Sequence, residues 1–397
     1  MLLVSDTPFR PTDAGNRARI AGMIEHLRAR GWRVSVVLRA DRDLYDADLR
    51  AMRRAVERLT LALPDGGWVV PRWRPTVRFA RHRRQSPPPA RSGDEEWCPE
   101  WLLRTVATEA ARWRPDATLA EYVYLAPVLD AALLPDGTRP LGLIDTHDVM
   151  SQRHAAYRQA GVPLQWFHAS AEDERRALAR ADHVLAIHDG DAAALARLVT
   201  REKIVVVPHG RSLVAPPPAP CSDLRLVAIA SRNDLNVAGL RWFFNEVWPR
   251  ILRVVPAAEL VVCGTACAKL TAPAGVVLRG YVADLASELR RARATICPLG
   301  GGTGLKIKIV DSLAHGVPVV TTLAGATGFA TGEQHGIVVA SNAGEFAAAA
   351  VRLLCDADAL AAATRGAVTQ AASFSSSAAF APLDTLLAAR LARLAPR

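Results

Sequence analysis

Short apolar, β-branched runs alternate with longer segments of helical period from one end of the chain to the other. In the first half the strand-like runs are Leu2–Ser5, Arg33–Leu38, Ala117–Ala120, Leu141–Asp145, His183–Ile187 and Ile204–Val207. Helix-like stretches, among them Asn16–Arg30, Trp101–Trp113 and Ser170–Arg180, lie between them. A second series of strands follows at Leu224–Ala230, Glu259–Cys263, Val276–Leu278, Ala294–Cys297, Val317–Thr321 and Ile337–Val339. Alternation of this kind predicts parallel sheets covered by helices, an α/β fold. Four prolines within Pro216–Pro220 can continue neither a helix nor a central strand. The predicted organisation is therefore a first domain over residues 1–210, a linker over 211–223, a second domain over 224–374 and a terminal helix over 375–397, which Pro382 is expected to kink or restart. No period of roughly 20–50 residues repeats, so a solenoid is excluded. Two α/β domains on one linker are expected to place a cleft between the carboxyl ends of their sheets, where such sheets bind ligands.

The 397 residues, half of them apolar and 22% charged, are enough for a large core and exclude a disordered chain. Net charge is +10, yet of the 49 basic residues only Lys203, Lys269, Lys306 and Lys308 are lysines. Acids and arginines mostly alternate, which argues against a nucleic-acid partner, since polyanion binding concentrates positive charge in blocks. The exception is Arg72–Arg91, with seven arginines and no acid, which reads as a solvated loop or as a peripheral contact for anionic lipid. Six cysteines without zinc-type spacing point to no metal site and to a reducing cytoplasm. The amino terminus does not read as a signal peptide, and no apolar run reaches the roughly 18 residues of a membrane span.

The densest chemistry lies between Cys297 and Val320, which reads as strand, glycine loop, helix and strand. Glycines at 300, 301, 302 and 304 let backbone amides approach a ligand, and the following helix adds unpaired N–H groups and partial positive charge, so an anion such as phosphate is favoured. If the helix begins at the loop, Gly304, Lys308 and Asp311 share one face. Lys308 could neutralise a phosphate and Asp311 could accept from sugar hydroxyls; the plainer alternative is an exposed Lys308–Asp311 ion pair. The loop is not a P-loop, because Leu305 follows Gly304, and it lies too late in the chain for the dinucleotide fingerprint.

These residues, with Asn236–Ile251, Pro256 and the Leu260–Gly264 turn, resemble the retaining GT-B-fold glycosyltransferases of family 4, the group 1 superfamily. Weaker matches in the first half are the Gly15 loop, the segment from Asp145 to Val149, the run over 174–185 and the turn ending at Gly210. The resemblance implies two Rossmann-like domains and a terminal helix crossing back to the first. It also implies a nucleotide-diphosphate sugar, UDP or GDP type, as donor substrate, and a glycan, lipid-linked or small-molecule acceptor, with no cofactor. Lys308 and Arg232 would hold the pyrophosphate; Gly302, Thr303 and Gly304 would present amides; Asp311 would take the ribose-binding place. Thr303 and Asp311 stand where the family usually has glutamates, and Val237 stands at a usual lysine position.

In the first domain the resemblance places Gly15 near the donor phosphates, although an ordinary helix start capped near Asp13 accounts for it equally. It places His147 at the transferred sugar, with Asp148 supporting that sugar or the acceptor; Glu121, just past a strand, is a candidate for acceptor contact. The implied reaction is metal-independent hexosyl transfer with retention, in which the basic cradle stabilises the leaving diphosphate. A sugar-nucleotide epimerase and a degenerate nucleotide-sugar-binding homologue are the alternatives.

Overall fold

The computed structural model describes residues 1–40, 44, 46–64, 66–70, 97–163, 169–214 and 223–394. The Arg72–Arg91 segment and the prolines at 216–220 lie outside the described residues. The chain forms two compact units. The first comprises Met1–His154, Leu164–Pro208 and Phe380–Arg397; the second comprises Ala155–Pro163 and His209–Ala379. Against a continuous first domain over 1–210, a nine-residue stretch from the helix Met150–Gln159 and its exit therefore groups with the second unit.

The first unit is built on β1 (Leu2–Ser5), β2 (Ser35–Arg39), β3 (Arg58–Leu63), β4 (Gly66–Val69), β5 (Ala117–Glu121), β6 (Leu141–Asp145), β7 (His183–Ala186) and β8 (Ile204–Val206). Their order in the sheet is β4-β3-β2-β1-β5-β6-β7-β8, parallel except for the β3–β4 pair. Side chains alternate across a strand, and here both faces are apolar. Leu2, Val4, Val37, Ala120, Ile144 and Val184 fill one face, and Leu3, Val36, Leu38, Leu119, Leu143 and Leu185 the other. The second face is covered by Ile20, Met23, Ile24 and Leu27 of the helix Gly15–Ala29 and by Phe380, Leu383 and Leu387 of the last helix, Ser376–Leu394. That helix runs on through Pro382 as one element, without the expected restart.

The second unit holds β9 (Arg225–Ile229), β10 (Glu259–Cys263), β11 (Val276–Gly280), β12 (Ala294–Cys297), β13 (Val319–Thr322) and β14 (Ile337–Ala340). They form an all-parallel sheet in the order β11-β10-β9-β12-β13-β14, the doubly wound arrangement. In each sheet the strand order reverses beside the first strand, between β1 and β5 and between β9 and β12. Chain leaving the carboxyl ends of these neighbours diverges and opens a crevice in each sheet.

Candidate functional sites at the two sheet switch points

In the second unit the crevice is framed by the turn after β9 and the glycine loop after β12. The helix Asp234–Trp242 presses close against this loop because Gly239 has no side chain: a Cβ there would lie 2.1 Å from the Pro298 carbonyl oxygen. Gly302 and Gly304 take φ values of 124° and 68°, a left-handed backbone that side-chain-bearing residues resist. The helix after the loop spans only Ile307–Ala314, so Gly304 is not on it, and Lys306 is its N-cap residue and not a helical one. Lys306 bends back to donate from Nζ to the carbonyl oxygens of Gly304 at 2.7 Å and Thr303 at 3.2 Å, and so clamps the loop.

Lys308 and Asp311 lie one turn apart on this helix, yet they do not pair with each other. Lys308 Nζ donates to Asn236 Oδ1 at 2.5 Å, while Asn236 Nδ2 donates to the carbonyl and hydroxyl oxygens of Ser231 at 3.0 and 3.1 Å. Among the described residues no carboxylate forms an ion pair with Lys308, and burial pushes its pKa below the usual lysine value. Asp311 is instead held by Arg211, Nε to Oδ1 at 2.8 Å. Burial raises the Asp311 pKa, with the Arg211 and His315 charges acting against the rise. Arg232 is exposed and is placed by its backbone N–H, which donates to Thr265 Oγ1 at 2.9 Å. Val237 is buried in the core. Sequence reasoning misses Asn236 and Arg211 as site residues; Asn236 stands inside the Asn236–Ile251 segment that carries the resemblance, whereas nothing local marks Arg211.

In the first unit the chain after β5 and β6 carries the other polar cluster. Glu121 ends β5, Asp145 ends β6, and both are fully buried. His147 Nε2 lies 2.7 Å from Glu121 Oε2 and 3.6 Å from Asp145 Oδ2. Glu121 thus faces His147 and not an acceptor at the surface. Arg19 reaches in from the helix Gly15–Ala29 and donates from Nε and Nη2 to both Asp145 oxygens at 2.7 Å, with a third bond from Nη2 to the Val207 carbonyl at 2.9 Å. Burial works against the Asp145 carboxylate, but Arg19 and His147 more than offset it and its pKa is lowered. Burial raises the Glu121 pKa, and its hydrogen bond to His147 only partly opposes this.

Tyr122 and His147 both have positive φ, 75° and 59°. Such strain persists where surroundings over-determine it and gathers at functional sites. The Tyr122 ring stacks on His147 with centroids 4.0 Å apart and on Tyr124 at 5.2 Å, and Tyr124 Oη donates to Asp6 Oδ1 at 3.0 Å. Asp148 is nearly buried, with Arg153 Nε 3.8 Å away. Gly15 is the first residue of its helix; Ala14 is the N-cap and makes no side-chain cap bond, and Asp13 pairs with Arg17 at 3.3 Å in place of capping. Glu121, Asp145 and His147 are close enough to hold a metal ion, but Arg19 already occupies both Asp145 oxygens with positive charge, so the donor set is that of an ion-pair network.

Two Rossmann-type sheets, each with polar side chains gathered at its switch point, match the GT-B glycosyltransferase fold. Residues 224–356, about a third of the chain, match the sequence model of the family described as Glycosyl transferases group 1. Among solved structures, sucrose-phosphate synthase from Thermosynechococcus elongatus superposes with a TM-score of 0.70 at 14% identity, covering 99% of each chain. HepE of Anabaena, in complex with UDP and glucose, gives 0.65 at 15% identity over 98% of this chain and 99% of its own. A glycosyltransferase from Rickettsia africae gives 0.63 at 11% identity over 100% and 99%. No curated protein matches the chain in sequence. No helix among the described residues is long and apolar enough to cross a membrane.

Proposed function

We propose that the chain is a retaining glycosyltransferase of the family 4 type, moving a hexosyl group from a UDP-sugar to a hydroxyl of a glycan, lipid-linked or small-molecule acceptor. The observation that carries this reading is Lys308, a half-buried lysine beside a glycine loop whose ammonium is met, among the described residues, only by the neutral Asn236 amide oxygen. A buried charge without a counter-charge is costly. An anionic ligand would supply the missing partner, and Gly302 and Gly304 bring no side chain of their own between the loop backbone and a ligand. HepE, with UDP and UDP-glucose bound, supports UDP as the donor's nucleotide.

In this reading Lys308 and Arg232 hold the diphosphate, and Gly302, Thr303 and Gly304 offer amides to it and to the sugar. Asp311 takes the ribose hydroxyls, and Gly15, His147 and Asp148 serve the phosphates, the transferred sugar and the acceptor. As the glycosidic bond breaks, positive charge grows on the sugar and negative charge on the leaving diphosphate, and preorganised donors stabilise the latter. A cradle of this kind does the work a divalent cation does elsewhere, so the reaction is proposed to need no metal.

Turnover of UDP-glucose by Lys308→Ala and Arg232→Ala tests the assignment, with a fall on the order of a hundredfold expected from losing one contact to developing charge. Unchanged rates in both variants would overturn it. Incubation without acceptor separates transfer from epimerisation, because only an epimerase converts the donor alone.

A further inference from the structure

The Glu121 carboxylate sits where a carboxylate is hardest to keep. It is fully buried, its Oε1 has no hydrogen-bond partner among the described residues, and its Oε2 is spent on His147 Nε2. Buried polar atoms without partners are uncommon and call for an explanation. Stability does not offer one, since an apolar residue of similar size would avoid the desolvation cost. Asp145 cannot replace it, because Arg19 occupies both Asp145 oxygens and the closer one lies 3.6 Å from Nε2. The charged groups facing the imidazole are thus Glu121 from β5 and the Asp145–Arg19 pair from β6 and the first helix, with Asp148 following in the chain. Arg19 balances Asp145, which leaves Glu121 as the one acceptor for Nε2–H among the described residues. The ring face is fixed independently by Tyr122, nearly parallel at 13°.

We propose that Glu121 is the positioning residue of His147: its carboxylate accepts the Nε2–H bond, holds the imidazole in one orientation and leaves Nδ1 as the nitrogen available to a ligand. The same logic operates wherever a carboxylate orients a working histidine through the ring nitrogen that does not react. Only the kinetic part of the test rests on the transferase reading.

The test uses the full chain labelled with 15N-histidine and the variants Glu121→Leu and Glu121→Gln, with His147→Gln to assign the signal. Wild type is expected to show a slowly exchanging His147 Nε2–H proton. Glu121→Gln, whose amide oxygen can still accept, retains it, and Glu121→Leu loses it to exchange with water. In UDP-glucose turnover Glu121→Leu is expected to lower kcat by about tenfold or more. KM for the donor should stay within about threefold, and Glu121→Gln should recover much of kcat. A merely structural carboxylate would not produce this split or the rescue. Persistence of the Nε2–H proton in Glu121→Leu overturns the proposal, as does its loss with kcat unchanged. If wild type turns over no sugar nucleotide, the transferase reading fails, while the proton signal still decides the pairing of Glu121 with His147.

Discussion

Lys308 is conspicuous in the sequence because lysine is so rare in this arginine-rich chain, and two of the four lysines fall beside the glycine loop. Its partner cannot be read the same way: Asn236 is an ordinary helix residue until the fold brings its amide to Lys308 Nζ. Arg19 is hidden for the same reason, as one more arginine in a helix, yet it lies fully buried against Asp145. With the Lys308 pKa lowered by burial, the folded chain binds fewer protons here than the unfolded chain between the lowered value and the usual 10.5, so this residue makes stability rise with pH across that window. A bound diphosphate favours the charged ammonium, so UDP affinity should fall as pH rises above the lowered pKa. Calorimetric titration against pH checks this: wild type should lose affinity on the alkaline side and Lys308→Met should not show that loss. Arg19→Ala would strand a buried carboxylate and should cost about 3–5 kcal/mol in denaturant unfolding, whereas removing both charges together as Arg19→Met with Asp145→Leu should cost much less.

At the scale of elements, strands bounded by glycine, proline or a change of period are legible in the sequence, and β1, β6, β10 and β12 fall on the expected residues. The hairpin β3–β4 is not. The helix Asp46–Ala55 runs almost directly into β3 with no breaker between Ala55 and Arg58, and β4 is a four-residue antiparallel edge strand beginning with two glycines. The helix after the glycine loop starts later than its composition suggests, because a run such as Leu305–Ile309 is suited to a helix but Lys306 is drawn back onto its own loop. The packing of helix Asp234–Trp242 on that loop depends on one missing atom. Gly239→Ala puts a Cβ against backbone that cannot give way as a flexible side chain could, and the expected cost is about 1–3 kcal/mol. The same shift would carry Asn236 away from Lys308, so UDP affinity should drop along with stability. Ala238→Gly, on the exposed side of the same helix, should weaken the helix by roughly 1 kcal/mol and leave UDP affinity intact. Equal affinity losses in the two variants would show that helix stability, not the close approach, matters to the loop.

At the scale of the whole molecule, the two units reveal themselves differently. The family match is confined to residues within the second unit, where the glycine loop, its helix and the next strand follow one another in a short stretch of chain. The first unit gathers Arg19, Glu121, Asp145 and His147, bonded across as many as 126 positions of chain, a relation that exists only once the parallel sheet has formed. Its core is also completed from the far end of the sequence, since Phe380, Leu383 and Leu387 are buried against residues of β1, β2 and the first helix. At about 1.5–3 kcal/mol for each buried large apolar side chain, these three contribute an amount comparable to the entire stability of a domain. Ending the chain after Ala379 should therefore unfold the first unit while every residue of the glycine loop remains. Calorimetry should then show one surviving transition, and UDP at about 100 times its Kd should stabilise it by about 2.7 kcal/mol, because the ligand binds only the folded form. Loss of both transitions would mean that the second unit depends on the first for its own folding. A surviving transition that UDP does not move would mean that the Lys308 loop alone does not hold the nucleotide.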